Sequence, residues 1–139
     1  MAKKRKTIWT WVHSPAKPPK PKLTDALKAQ VEEAAAPILE KFRAEHIQPP
    51  PADPQWNYIT EIYGKWWRNC FYFCAQYACP GPNALAPSFE TKFARLEYAS
   101  DERFNLAYMR HTGQWWEIES GLTLDEVLKA VLDWPHCQP

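Results

Sequence analysis

Residues 89–119 read FETKFARLEYASDERFNLAYMRHTGQWWEIE. Apolar and polar residues alternate through this stretch with a period of two, the period of a strand with two unlike faces. Ala94, Leu96 and Tyr98 fall on one face of a strand over residues 89–99, with Phe89 and Phe93 on the other. Ser100-Asp101 supplies a turn, and Phe104, Leu106 and Tyr108 line the strand that follows. His111-Thr112-Gly113 makes a short hairpin loop into a further strand over residues 114–119, which carries Trp115 and Trp116. Strands joined by connections this short pair as antiparallel neighbours.

Working towards the N-terminus, Trp56, Tyr58, Thr60 and Ile62 alternate in the same way, and Gly64-Lys65 suits a two-residue hairpin turn with glycine first. Residues 66–77 then read as a second aromatic strand with Trp67, Phe71, Phe73 and Tyr77 on one face. Pro80-Gly81-Pro82-Asn83 and Pro87 mark residues 78–88 as a loop. A helix is expected from Thr24 to about His46, with Thr24 as N-cap and Leu27, Val31, Ala34, Ala35, Ile38 and Phe42 as its apolar stripe. Pro37 removes one backbone donor and is expected to kink or divide that helix. Pro49-Pro50-Pro51 and Pro54 form a stiff connector. At the other end, Thr123-Leu124-Asp125-Glu126 is a capping box, Leu124, Val127, Leu128, Val131 and Leu132 form a stripe, and Pro135 stops the helix. The fold class is therefore α+β: an N-terminal helix, an antiparallel meander of about five strands and a short C-terminal helix. One sheet face packs on the helices and the other remains open to solvent.

Charge divides the chain differently. The first 22 residues hold Lys3, Lys4, Arg5, Lys6, Lys17, Lys20 and Lys22 and no acid, whereas residues 23–139 hold ten Lys/Arg against sixteen Asp/Glu. A net charge of +1 thus combines an arm at +7 with a body at −6. The run Ser14-Pro15-Ala16-Lys17-Pro18-Pro19-Lys20-Pro21-Lys22 favours an extended polyproline spacer, so residues 1–22 read as a disordered basic arm and 23–139 as one domain. No apolar run is long enough to cross a membrane, and no apolar segment follows the basic start as a secretory signal requires. A cytoplasmic location is expected, where the four cysteines remain thiols.

The order helix, Pro-rich connector, hairpin, Phe93-Ala94-Arg95-Leu96-Glu97-Tyr98, Phe104 to Arg110, Gln114-Trp115-Trp116 and a short Leu-rich helix resembles a group of small bacterial proteins with a domain of unknown function. Residues 108–116, Tyr-Met-Arg-His-Thr-Gly-Gln-Trp-Trp, and Cys79-Pro80-Gly81-Pro82-Asn83 are the most specific parts. The resemblance spans residues 24–139 and implies a bacterial, cytoplasmic α+β domain. It brings no activity and no site residues. It also argues against reading Lys3-Lys4-Arg5-Lys6 as a nuclear import signal.

The residues point to nucleic acid as partner, RNA or DNA, with ribosomal RNA included. A polybasic arm binds phosphates by counterion release, and Trp9 and Trp11 can stack on unpaired bases. Trp66, Trp67, Arg68, Tyr72, Arg95, Arg110, Trp115 and Trp116 interleave rings with guanidinium groups, and such a surface stacks bases and pins phosphates. Trp66, Arg68, Arg110 and Trp115 are the sheet residues expected at the interface, beside Lys3, Lys4, Arg5, Lys6, Trp9, Trp11, Lys17, Lys20 and Lys22 of the arm. The bland reading makes most of these rings core, covered by arginine stems. Adjacent tryptophans temper it, because Trp66 and Trp67, like Trp115 and Trp116, point to opposite faces of a strand. The alternative function is a protein-interaction module that uses the Pro/Lys arm and the acidic body.

No cofactor, metal or catalytic site is expected. Cys70, Cys74 and Cys79 lack the tight C-x2-C turn of zinc knuckles, and His136-Cys137 lies far along the chain. His111, with Arg110 and Glu117 or Glu119 nearby, sits in a turn without a nucleophile-and-base pattern.

Overall fold

A computed structural model describes residues 22–50, 52 and 56–139. It has helix α1 (Asp25–His46), strands β1 (Tyr58–Trp67), β2 (Cys70–Ala78), β3 (Ser88–Ser100), β4 (Arg103–Met109) and β5 (Trp115–Leu122), and helix α2 (Leu124–Asp133). A single turn of 3-10 helix, Pro135–Cys137, follows α2. The strands form one antiparallel sheet in the order β1-β2-β3-β4-β5, an uninterrupted meander. The α+β class and the helix–meander–helix order stand as read from the sequence.

Local hydrogen bonds start both helices. The Thr24 side chain accepts from the Leu27 N–H at 3.1 Å, and Asp25 faces the positive end of the α1 dipole. In α2 the Glu126 N–H donates to Thr123 Oγ1 at 3.2 Å while Glu126 Oε1 accepts from the Thr123 N–H at 2.9 Å, a complete capping box. Helix α1 continues through Pro37 rather than dividing there. Pro37 lies on the exposed side, and the turns around it are held by the buried stripe of Leu27, Val31, Ala35, Ile38, Leu39 and Phe42. One missing backbone donor is too small a loss to break a helix anchored along that length.

Both helices lie on the same face of the sheet. Phe42 meets Phe93 edge-on at 5.7 Å and Phe73 at 6.4 Å, and Val127, Leu128 and Val131 of α2 join the same buried cluster. Arg43 ties α1 to β1, its Nε donating to the Ile62 carbonyl at 2.8 Å and to Glu61 at 3.1 Å.

Two details of the sheet depart from the sequence reading. The first hairpin turns at Arg68-Asn69, where Trp67 pairs with Cys70, and not at Gly64-Lys65. Arg68 takes the left-handed conformation that this turn demands, with φ of 56°. Gly64 sits mid-strand opposite Phe73 because the Phe71 ring lies over it. A Cβ at Gly64 would collide with Phe71 Cζ and stand 2.9 Å from Cε2. The shifted turn places Trp66, not Trp67, on the core side with Phe71 and Phe73.

The second departure is a bulge. Phe73 pairs with Ala94 but Cys74 pairs with Lys92, so Phe93 is the extra residue. A bulge reverses the inside–outside alternation of its strand. Phe89 before it, Phe93 at it, and Ala94, Leu96 and Tyr98 after it therefore share the helix-facing side instead of opposite faces.

The packing over Gly64 predicts that Gly64→Ala costs about 1–3 kcal/mol by overpacking. Chemical denaturation checks this, with Gly64→Ala/Phe71→Leu expected to regain part of the loss. A Gly64→Ala protein as stable as the parent would contradict the packing.

Candidate nucleic-acid interface

The same registers define the face turned away from the helices. It carries Tyr63, Lys65 and Trp67 from β1, Cys70, Tyr72 and Cys74 from β2, and Glu90, Lys92, Arg95 and Glu97 from β3. Asn105, Ala107 and Met109 of β4 and Trp115 and Glu117 of β5 complete it. Trp67 on this face is 57% exposed.

Aromatic rings and cations alternate across this face. Trp115 packs against Tyr72 with centroids 5.6 Å apart, and the Arg95 guanidinium lies 5.0 Å from the Trp115 ring. Lys92 approaches Tyr72 at 5.8 Å, and Arg68 lies 4.4 Å from the Trp67 ring. Arg95 Nε is buried with no hydrogen-bond partner among the described residues. Tyr72 is almost fully buried and forms the floor, while Trp67 and Trp115 stand as walls. Burial raises the Tyr72 pKa, which keeps the floor an uncharged phenol.

Beside the rings lies a polar cluster. Glu90 accepts from Lys65 Nζ at 2.8 and 3.0 Å and from the Tyr63 hydroxyl, and it pairs with Lys92 at 3.4 Å. The Lys65 hydrogen bond, then that of Tyr63, holds the Glu90 carboxyl below the usual carboxylate range. Burial and then the Glu90 hydrogen bond push the Tyr63 phenol up, so it remains a donor at any physiological pH.

Two hollows open on this face, with Trp67 and Tyr72 in both. One, of about 500 Å³, is lined by Lys65, Trp67, Tyr72, Lys92, Met109 and Trp115. The other, of about 560 Å³, includes Trp67, Arg68, Cys70, Tyr72, Glu97 and Asn105. Both lie in the size range of small-molecule sites, roughly 300–1,000 Å³.

The expected interface residues separate into groups. Lys3, Lys4, Arg5, Lys6, Trp9, Trp11, Lys17 and Lys20 lie outside the described residues, and Lys22 is exposed just ahead of α1. Arg68 and Trp115 belong to the open face. Trp66 lies on the helix side, 5.2 Å from Phe71, with its indole nitrogen buried and without a partner among the described residues. Arg110 lies 4.9 Å from the Trp116 ring, and Trp116 pairs with Tyr108 on the helix-facing side of β5. Each tryptophan pair is thus split between the two faces. Trp67, which the sequence reading placed on one strand face with Phe71, Phe73 and Tyr77, lies on the opposite face. Lys65, Lys92, Glu97 and Asn105 were not singled out, and their signal is register alone, which the misplaced first turn obscures.

The other candidates stay apart from this face or lack chemistry. His111 is exposed and lines a hollow of about 400 Å³ with Tyr108, Met109, Arg110 and His136, a set without a carboxylate. No group of three or more His, Cys, Asp or Glu among the described residues is placed to hold a metal ion. Burial pushes the Cys74 thiol up to about 11 and that of Cys137 to about 12, so both remain protonated and poorly nucleophilic. No helix among the described residues is long and apolar enough to cross a membrane.

No curated protein and no solved structure matches this chain. A family match covers residues 23–138, from just ahead of α1 to the end of the chain's last turn. The chain belongs to the family described as Domain of unknown function (DUF3024).

Proposed function

We propose that this protein binds single-stranded nucleic acid on the open face of its sheet, with the basic arm holding the phosphates. The observation that carries the reading is the two-layer arrangement: both helices pack on one face, and the other presents Trp67, Tyr72 and Trp115 interleaved with Arg68, Lys92 and Arg95. Exposed sheet aromatics are how several single-strand binders hold splayed bases.

Charge divides the labour. Eight of the sixteen carboxylates lie on α1 and α2, away from the open face. On the open face Lys65, Arg68, Lys92 and Arg95 are nearly balanced by Glu90, Glu97 and Glu117, while Glu61 is paired with Arg43 of α1. A nearly balanced face attracts phosphate weakly and supports base stacking. The seven cations of residues 1–22 supply the phosphate attraction.

Base–aromatic stacking contributes about 1–3 kcal/mol per base. Trp67→Ala and Trp115→Ala are each expected to weaken binding of a fluorescent oligonucleotide by roughly five- to hundredfold. Trp67 is exposed, so its loss leaves the fold intact. Unchanged affinity in both variants, measured by anisotropy, would remove the reading.

A second reading, a protein-interaction module, draws on the acidic surface of α1, where Glu32, Glu33 and Glu40 are exposed. Partners that survive nuclease treatment and moderate salt would favour it over nucleic acid.

A further inference from the structure

We propose that the hollow between Trp67 and Glu97 recognises guanine in a single strand, an inference that rests on the single-strand reading above. Glu97 and Asn105 are cross-strand partners of β3 and β4, so they stand side by side on the open face. Both line the hollow with Trp67, Arg68 and Tyr72. Asn105 Oδ1 accepts from the Gly121 N–H at 3.1 Å. This fixes the amide so that its NH2 group is the end left to donate. Glu97 makes no hydrogen bond or ion pair among the described residues, leaving both carboxylate oxygens as acceptors. The hollow therefore offers two adjacent acceptors beside one donor, next to a tryptophan ring.

Guanine is the base whose pairing edge complements that order. Its N1–H and N2–H groups are neighbouring donors that suit one carboxylate, and O6 beside them accepts from an amide NH2. Adenine presents a single donor there and sets its N1 lone pair against the second carboxylate oxygen. Cytosine and uracil also offer one donor each. The base ring stacks on Trp67, with the Arg68 guanidinium 4.4 Å from that ring on the same side of the hairpin. A polar site of this kind discriminates because the wrong base leaves its groups unmatched.

The test uses the full chain and short labelled oligouridylates carrying one central guanosine, inosine or adenosine, each also made with deoxyribose. Anisotropy titration is expected to show guanosine bound roughly tenfold more tightly than adenosine. Inosine, which lacks the N2 donor, falls between them. The same order is expected in both sugar series, because the contacts are to base edges. In Glu97→Gln, with folding checked by circular dichroism, the preference for guanosine disappears. Equal affinity for the three bases would overturn the inference and leave the single-strand reading standing. So would a guanosine preference that persists in Glu97→Gln or is confined to the ribose series. Failure of every oligonucleotide to bind would overturn both.

Discussion

Removal of residues 1–22 is expected to flatten the salt dependence of single-strand binding. The arm carries seven cations and no acid. Each phosphate neutralised on a single strand contributes roughly −0.7 to the slope of log affinity against log salt. Seven such contacts give a slope of about −5, so a fourfold rise in salt weakens the intact protein roughly a thousandfold. The truncated protein, left with a nearly charge-balanced sheet face, should show a slope near zero and an affinity lower by a similar factor at low salt. Anisotropy titrations of both proteins across that salt range make the comparison. Undiminished affinity after truncation would assign binding to the body alone. Tighter binding would show that the arm instead docks on its own acidic domain, which carries −6. Either result would overturn the role given to the arm.

Phe73→Ala is expected to be the most destabilising of these substitutions, at about 3–5 kcal/mol. Phe73 has no exposed surface and lies at the centre of a ring cluster, 5.4 Å from Phe71, 6.1 Å from Phe93 and 6.4 Å from Phe42. Truncation removes apolar contact with α1, β2 and β3 together and leaves a cavity that three neighbouring rings cannot close without leaving their own sites. A domain of this size has about 5–15 kcal/mol in all, so the melting midpoint should fall by roughly 10–20 °C. Thermal melts followed by circular dichroism, with Trp67→Ala as the exposed comparison, test the claim. A fall of a degree or two for Phe73→Ala would mean that Phe73 is not at the centre of the core.

The helices were legible in the sequence because short-range contacts decide them. Thr24 and Thr123 cap through hydrogen bonds to residues three positions away, and the apolar stripes of α1 and α2 repeat at helical spacing. The order of the strands was legible for a related reason, since short connections leave an antiparallel meander as the natural arrangement. The opposed faces of the two tryptophan pairs followed from strand periodicity alone.

The composition of the open face was not legible, because it depends on register, and register is set by distant packing. Gly64-Lys65 is the better local turn, yet the chain turns at Arg68-Asn69 with Arg68 at positive φ. The space vacated by the missing Gly64 side chain is taken by the Phe71 ring, which completes the core with Phe73 and Trp66. That four-residue shift carries Trp67 to the open side. The bulge at Phe93 has the same origin: placing Phe93 together with Ala94, Leu96 and Tyr98 on the helix-facing side requires one break in alternation. By itself the sequence determined the elements, their order and the segregated charge of the arm, since each rests on neighbours along the chain. Only the tertiary structure decided which rings and which polar groups share the open face, because burial of the aromatic core against α1 and α2 outweighs local turn preference.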